Sequence, residues 1–141
     1  MKKEYVSHSL EDTKKIAFNF ARNLKGGEII LLNGDLGAGK TTFVKFLAKR
    51  LGVRDIVTSP TFTILKQYQG EKFSINHFDM YRLNDYQEAY EFGFEDFING
   101  NAHEITLIEW SERIIELLSK NCIVINISII DENSRKIVVD E

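Results

Sequence analysis

A glycine-rich segment carries the residues best suited to chemistry. Residues 34–41 read GDLGAGKT, which matches the phosphate-binding pattern GxxxxGK[ST]. Glycines suit such a loop because a Cβ at its turning positions would keep phosphate oxygens away from the backbone N–H groups. Lys40 would supply a mobile cation to the β- and γ-phosphates, and Thr41 would supply a hydroxyl group to Mg²⁺. The segment predicts a nucleotide-binding loop; the alternative is a glycine-rich turn that binds no ligand.

The segments around this loop have the pattern that phosphate binding requires. Residues 28–32 form a short apolar run of strand length, and residues 40–51 repeat apolar side chains at helical spacing. A strand would therefore lead into the loop, and a helix would point its positive N-terminal end at the same phosphates. In the nucleotide-free protein we expect the Lys40 side chain to face solvent.

Two acidic residues are candidates for the metal side of the site. Glu109 follows the apolar run 105–108, where P-loop proteins usually carry an aspartate, and its longer side chain could reach the ion directly or through a water. Asp79 ends a predicted strand and could hold a metal-bound water or orient the attacking water. The alternatives are a solvated strand end for Glu109 and a turn cap for Asp79.

Other residues near these positions are weaker candidates. His77 would share a strand face with Asp79, and we interpret it as structural because phosphoryl transfer depends mainly on positioning and charge neutralisation. Arg82 could contact phosphate or pair with an acidic neighbour. Residues 58–62 could form a switch-like loop that a triphosphate orders, or only a proline-stiffened turn.

Composition excludes several other classes of protein. The 141 residues carry 18 Lys+Arg and 21 Asp+Glu, a net charge of −3 that argues against a surface devoted to nucleic acid. A single cysteine excludes an internal disulfide framework. The apolar runs fall below the roughly 18 residues that a transmembrane helix needs, and the N-terminus does not resemble a secretory signal. We therefore expect one nucleotide-binding domain over residues 1–141, cytoplasmic and without a membrane partner.

The elements that must position these residues alternate between strand and helix early in the chain. Ser9 is a good N-cap for a first helix that Gly26 and Gly27 would stop. The pattern favours an α/β fold, a three-layer P-loop NTPase-like domain with a mixed, mainly parallel central sheet and a C-terminal β-hairpin. The other predicted elements are a strand at 4–8, an antiparallel pair at 62–69 and 72–78, short helices at 85–99, a strand at 105–108, a helix at 111–119 and hairpin strands at 122–130 and 135–140.

Four motifs follow one another along the chain. They are the loop at 34–41, Ser-Pro-Thr-Phe at 59–62, His-Phe-Asp-Met-Tyr-Arg at 77–82 and Leu-Ile-Glu-Trp at 107–110. Together they resemble the bacterial TsaE family, small P-loop ATPases required for making threonylcarbamoyladenosine in tRNA, and the resemblance covers nearly the whole chain. It implies that the protein associates with TsaD and TsaB, meets tRNA only through that complex, and hydrolyses ATP to ADP with Mg²⁺ so that modification can repeat.

The resemblance also implies roles for individual residues. The adenine would lie between the segment near Leu10 and the hairpin near Arg135, and residues 59–62 would act as a switch-like loop. Asp79 and Trp110 would support hydrolysis. The implied catalytic residues are Lys40, Asp79 and Glu109, and the implied metal ligands are Thr41 and Glu109. The implied nucleotide-binding residues are Leu10, Gly37, Ala38, Gly39, Lys40, Thr41, Thr42, Trp110 and Arg135.

Two other functions stay open on the sequence. A small-molecule kinase would share the phosphate-binding loop, but it would need an acceptor pocket and commonly an arginine-bearing lid, neither of which we identify. A nucleotide-gated binding module would use ATP mainly to order residues 58–62 for docking. The sequence lacks the NKxD-type guanine motif of many GTPases, which favours ATP. A chain of this size without a lid is expected to hydrolyse ATP slowly unless a partner assists.

Overall fold

The structure, a computed structural model, describes residues 1–35, 37–58, 65–81, 88, 91, 93–98, 101–112, 114, 118 and 122–141. Strands and helices alternate along the first half of these residues, and strands dominate the end. In chain order the elements are β1 Lys2–Ser7, α1 Leu10–Arg22, β2 Ile29–Gly34, α2 Lys40–Arg50, β3 Leu65–Gln69, β4 Ser74–Asp79, α3 Phe94–Ile98, β5 Glu104–Glu109, β6 Ile123–Ile129 and β7 Arg135–Asp140.

The strands form one seven-stranded sheet in the order β1-β7-β6-β2-β5-β4-β3. The central strands β6, β2, β5 and β4 run parallel, whereas β1, β7 and β3 pair antiparallel towards the two edges. A parallel strand that is covered on both faces reads as a continuous apolar run, as the start of β2 does. The predicted mixed, mainly parallel central sheet is confirmed, and so are the antiparallel pair β3–β4 and the C-terminal hairpin β6–β7.

Helices cover both faces of this sheet. α1 and α2 pack on one face, where Phe43 and Leu47 meet the inward side chains of the central strands. α3 packs on the other face, where the ring of Phe94 meets that of Phe78 edge to face at 5.0 Å. Burying one aromatic or leucine side chain contributes roughly 1.5–3 kcal/mol, so Phe43 and Leu47 hold α2 against its face of the sheet. The predicted three-layer architecture is confirmed.

The first helix begins as predicted but ends earlier. The Ser9 side chain accepts a backbone N–H of the first turn at 3.1 Å and caps the helix. The helix ends at Arg22 instead of at Gly26, and a separate turn follows before β2, in which the Glu28 carboxylate accepts two loop N–H groups at 2.7 Å. A Cβ at Gly26 would lie 2.0 Å from the Ala102 carbonyl oxygen. Glycine is therefore needed here because two backbone segments pass close to each other.

Some predictions fall outside the described residues. The strand predicted at 62–69 is described only from Leu65 onward, and within 85–99 the helix with defined bounds is α3. The helix predicted at 111–119, the switch-like residues 59–62 and Arg82 lie wholly or largely outside the described set. None of the helices in the described part of the chain combines the length and the apolar character needed to cross a bilayer.

Candidate functional site

The carboxyl ends of three parallel strands meet at one edge of the sheet and define the candidate site. β2 leads into the glycine-rich loop and α2, while β5 ends at Glu109 and β4 ends at Asp79. In the strand ladders Glu109 lies between Leu32 of β2 and Asp79 of β4. Because parallel strands present their carboxyl ends at the same edge, the loop and both carboxylates come together there. The structure thus juxtaposes the three parts that the sequence singled out.

The glycine-rich loop has a backbone that glycine favours and open space in front of it. Gly37 and Gly39 have φ angles of 83° and 105°, and a Cβ at either position would meet no atom within 4 Å. Gly39 is also the N-cap of α2 and offers no side-chain cap, which leaves the first N–H groups of the helix to an outside acceptor. Such an arrangement can hold an anion such as phosphate. Gly34 is needed for a different reason, since a Cβ there would lie 2.6 Å from the Ile127 carbonyl oxygen of β6.

The side chain of Lys40 is buried, so the expectation that it faces solvent is wrong. Only 8% of the residue is exposed. Its Nζ atom lies 3.8 Å from Oε1 of Glu109 and 4.7 Å from the centroid of the Trp110 ring. A carboxylate and an aromatic face both attract an ammonium group, and together they compensate for the water that Lys40 loses on burial.

The carboxylate of Glu109 is also buried, with 3% of the residue exposed, so the alternative of a solvated strand end is wrong. Its Oε2 atom accepts a hydrogen bond from Nε2 of His77 at 2.6 Å, while Oε1 faces Lys40. Carboxylate and hydroxyl oxygens are ligands that suit Mg²⁺, which usually binds through one or two carboxylates together with substrate phosphates. Glu109, with Thr41 at the start of α2, therefore has the right chemistry to hold this ion. Within the described residues, no group of three or more His, Cys, Asp and Glu side chains converges on one point.

Asp79 caps a turn, as one of the two sequence interpretations predicts, and it lies next to Glu109. Its Oδ1 atom accepts the backbone N–H of Tyr81 at 3.0 Å, so the side chain does cap the turn after β4. Asp79 is also half-buried beside Glu109. Burial raises the pKa of Asp79 above its ordinary value, the hydrogen bond from Tyr81 opposes this shift, and the nearby Glu109 adds to it. A carboxyl group in this state can accept a proton more readily than an exposed aspartate, which suits a residue that handles water.

The backbone at Trp110 is in the left-handed region, with a φ angle of 59°. Among the described residues it is the only non-glycine with a positive φ. The indole ring contacts both Nζ of Lys40 and the ring of Tyr81, whose centroid lies 4.9 Å away. Strained backbone of this kind persists where surrounding contacts demand it, and it is frequent at functional sites.

This strain gives a stability prediction. We expect the Trp110→Gly variant to be more stable than Trp110→Ala by roughly 1 kcal/mol, because both lose the ring but only glycine adopts the left-handed conformation without cost. Denaturant unfolding of the two nucleotide-free variants measures the difference. An alanine variant as stable as the glycine variant would show that the backbone relaxes once the ring is removed.

A cavity of about 610 Å³ opens beside the glycine-rich loop, and its walls include many of the predicted nucleotide-binding residues. Its size is in the range of pockets that hold small-molecule ligands, which is about 300–1,000 Å³. Arg135 ties the loop to the C-terminal hairpin, because its Nε atom donates to the Ala38 carbonyl oxygen at 3.0 Å and its Nη1 atom donates to the Asp131 carbonyl oxygen at 2.8 Å. The predicted residues that line this cavity are Leu10, Gly37, Ala38, Gly39, Thr42 and Arg135.

A second cavity of about 520 Å³ accounts for other predicted residues. Lys40 and Trp110 line it together with Asp35 and Glu112. Thr58, the described end of the segment 58–62, donates its N–H to the Tyr68 hydroxyl at 3.3 Å and so is tied to β3. The two cavities thus border different parts of the loop: the larger is lined by Gly37 and Gly39, and the smaller by Gly34 and Lys40.

Two histidine contacts at this site could not be read from the sequence. Nε2 of His77, a residue that the sequence indicates as structural, contacts Glu109 directly, which is compatible with that interpretation. His8, whose Nδ1 atom lies 3.2 Å from the Ser134 hydroxyl, joins the end of β1 to the hairpin turn across the wall of the larger cavity. His8 and Ser134 are 126 positions apart, and no local pattern predicts their contact. The shared strand face of His77 and Asp79 was the one available signal.

Comparison with known proteins shows what the chain is similar to. The family model described as "Threonylcarbamoyl adenosine biosynthesis protein TsaE" matches residues 7–137. A protein from Rickettsia prowazekii, named tRNA threonylcarbamoyladenosine biosynthesis protein TsaE, is 47% identical over 132 residues, which cover 93% of this chain and 90% of the relative. A protein of the same name from Aquifex aeolicus is 45% identical over 138 residues, covering 96% and 93%.

A solved structure has the same fold. The crystal structure of Bacillus subtilis YdiB superposes with a TM-score of 0.81 at 34% sequence identity. The match covers 99% of this chain and 84% of that one. The similarity therefore extends over the whole sheet and both helical layers, and it includes the strand ends that carry the candidate site.

Proposed function

The chain belongs to the TsaE family, which acts in the biosynthesis of threonylcarbamoyladenosine in tRNA, and from this premise we propose that it binds and hydrolyses ATP to support that modification. We further propose that it works in the cytoplasm with TsaD and TsaB and meets tRNA through their complex. One observation carries the proposal. The buried Glu109 carboxylate lies beside Lys40 at the point where β2 enters the phosphate-binding loop.

The loop and the larger cavity would hold the nucleotide. The phosphates would lie against the N–H groups of residues 37–42, where the helix dipole of α2 also favours negative charge. The base and ribose would occupy the cavity of about 610 Å³ between Leu10 and the C-terminal hairpin. Arg135 would act on this cavity mainly by fixing the loop to the hairpin, since its guanidinium group is already bonded to backbone carbonyl groups.

The polar and charged side chains of the site would each have a different role in hydrolysis. Lys40 would leave Glu109 and turn to the β- and γ-phosphate oxygens, which are stronger partners for an ammonium group. Thr41 and Glu109 would hold Mg²⁺, which neutralises charge on the phosphate oxygens when it is bound. Asp79, half-buried at the neighbouring strand end, would orient the attacking water. Trp110 would cover the site and limit the access of bulk water.

Partner dependence is the first test of this function. We expect the protein alone to release phosphate from ATP slowly and the addition of TsaD and TsaB to raise turnover by at least about tenfold, because a second protein can supply the closure and the charge that P-loop enzymes often receive from a partner. Phosphate release with and without TsaD–TsaB measures this effect. The control is TsaD–TsaB alone, whose background rate is subtracted. Equal and fast rates in both conditions would contradict partner dependence.

A further inference from the structure

His77 is a buried polar residue to which the proposed hydrolysis assigns no step. It lies within β4, its exposed fraction is 0%, and it shares a sheet face with Asp79, two residues further along the strand. Its Nε2 atom lies 2.6 Å from Oε2 of Glu109, which is a short and therefore strong hydrogen bond to a carboxylate. The ring thus contacts Glu109, the residue on which the proposed function depends.

The contact with His77 fixes how the Glu109 carboxylate is turned. One oxygen, Oε2, is held by the histidine, and the other, Oε1, points to Nζ of Lys40 at 3.8 Å. A carboxylate on a glutamate side chain can otherwise rotate about its last bond, because the energy wells of that torsion are broad. The hydrogen bond from β4 therefore presents Oε1 to the phosphate-binding loop and to any ion held there.

The other ring nitrogen of His77, Nδ1, makes this residue costly to bury. Nδ1 of His77 is buried and has no hydrogen-bond partner among the described residues. A buried polar atom without a partner costs free energy that an apolar side chain of similar size would not cost. Packing alone would thus favour an apolar residue at this position of β4. The bond to Glu109 is the contact that accounts for a histidine.

We propose that His77 is a positioning residue, which holds the Glu109 carboxylate in the orientation that binds Mg²⁺ with the nucleotide. This inference rests on the proposed function. A hydrogen bond donated from Nε2 to the carboxylate is directional, and contacts of this kind orient metal ligands. His77 does not contact the nucleotide, so it acts on the metal through Glu109 and leaves metal-free nucleotide binding unchanged.

A matched pair of variants tests the proposal. In His77→Gln the side-chain amide can donate from nearly the position of Nε2, whereas the shorter side chain of His77→Asn cannot reach Glu109. Both variants place an amide in the same buried site, so the difference between them isolates the contact. Calorimetry with a non-hydrolysable ATP analogue, in EDTA and in excess Mg²⁺, gives the factor by which Mg²⁺ tightens binding.

We expect the Mg²⁺ factor of the Asn variant to be about tenfold smaller than that of the wild type, as is typical when a group that orients a metal ligand is removed. The Mg²⁺ factor of the Gln variant should stay within about threefold of the wild-type factor. The dissociation constant in EDTA should be the same in all three proteins. Equal Mg²⁺ factors for the two variants, whether both normal or both reduced, would overturn the positioning role while leaving the proposed function intact. A wild-type protein that binds no nucleotide, or that gains nothing from Mg²⁺, would overturn both.

A measurement on the histidine ring itself does not depend on whether the two His77 variants fold. The chain has three histidines, so long-range ¹H–¹⁵N spectra of their rings can be assigned. We expect His77 to be in the form protonated on Nε2, and we expect its ring signals to shift in Glu109→Gln. A ring protonated on Nδ1 alone, which cannot donate from Nε2, or one that does not respond to Glu109→Gln, would contradict the proposal.

Discussion

Replacing Glu109 with glutamine is expected to lower the rate of ATP hydrolysis by about 100-fold or more, which corresponds to roughly 2.7 kcal/mol of transition-state stabilisation. The amide loses the negative charge that would hold Mg²⁺, but its oxygen can still accept the hydrogen bond from His77. The buried strand end should therefore keep its shape while the metal site fails. Phosphate release in the presence of TsaD and TsaB measures the loss.

Two comparisons make this result specific to the metal. Binding of ADP in EDTA should stay within about threefold of the wild type, because Glu109 is not proposed to touch a metal-free nucleotide. Asp79→Asn, at the neighbouring strand end, should slow hydrolysis by about tenfold but keep the normal dependence on Mg²⁺, since Asp79 is proposed to act on the water. A Glu109→Gln protein that hydrolyses ATP at the wild-type rate would contradict the metal role.

The same variant separates two ways in which ATP could be used. If hydrolysis is lost and tRNA modification by TsaD–TsaB stops, the chemical step is required. If modification continues without hydrolysis, the protein works as a nucleotide-gated binding module, and ATP serves only to order it. Modification is measured in the reconstituted complex, with wild-type protein and with no added protein as the two reference points.

The sequence was sufficient to predict those parts of the site that lie in one continuous segment or at the ends of parallel strands. The glycine-rich loop is one continuous segment, and its strand and helix could be recognised from apolar spacing alone. Glu109 and Asp79 come from different strands, but each directly ends its strand, and parallel strands end at a common edge. The sheet class could be predicted for the same reason.

Contacts between distant residues could not be predicted in this way. The burial of Lys40 depends on the positions of Glu109 and Trp110, which no spacing around the loop reveals. The turn after α1 is local, yet apolar spacing does not reveal it either, because it is closed by the Glu28 carboxylate, which accepts backbone N–H groups two and three residues before it. In both cases a charged side chain makes the contact, and the spacing of apolar residues gives no information about such contacts.

Removing the ammonium group in Lys40→Ala is expected to weaken ATP binding by about 100-fold, since charge-assisted hydrogen bonds to two phosphate groups contribute about 3 kcal/mol together. Calorimetry with the Mg²⁺ complex of a non-hydrolysable analogue measures the loss. The matched control is Lys45→Ala, which removes an exposed lysine from the same helix and should leave affinity unchanged. Equal affinity in Lys40→Ala and the wild type would refute the phosphate contact.

The burial of Lys40 adds a second expected effect, on the stability of the nucleotide-free fold. Lys40→Ala leaves the buried Glu109 carboxylate without its cation, which should lower the free energy of unfolding by about 1–3 kcal/mol. Adding Glu109→Gln removes the uncompensated charge, so the double variant should recover most of this stability while ATP binding stays weak. Stability and affinity would then separate, because the two roles of Lys40 use different partners: Glu109 without nucleotide and the phosphates with it. A double variant that is no more stable than Lys40→Ala would show that the pair does not hold this strand end together.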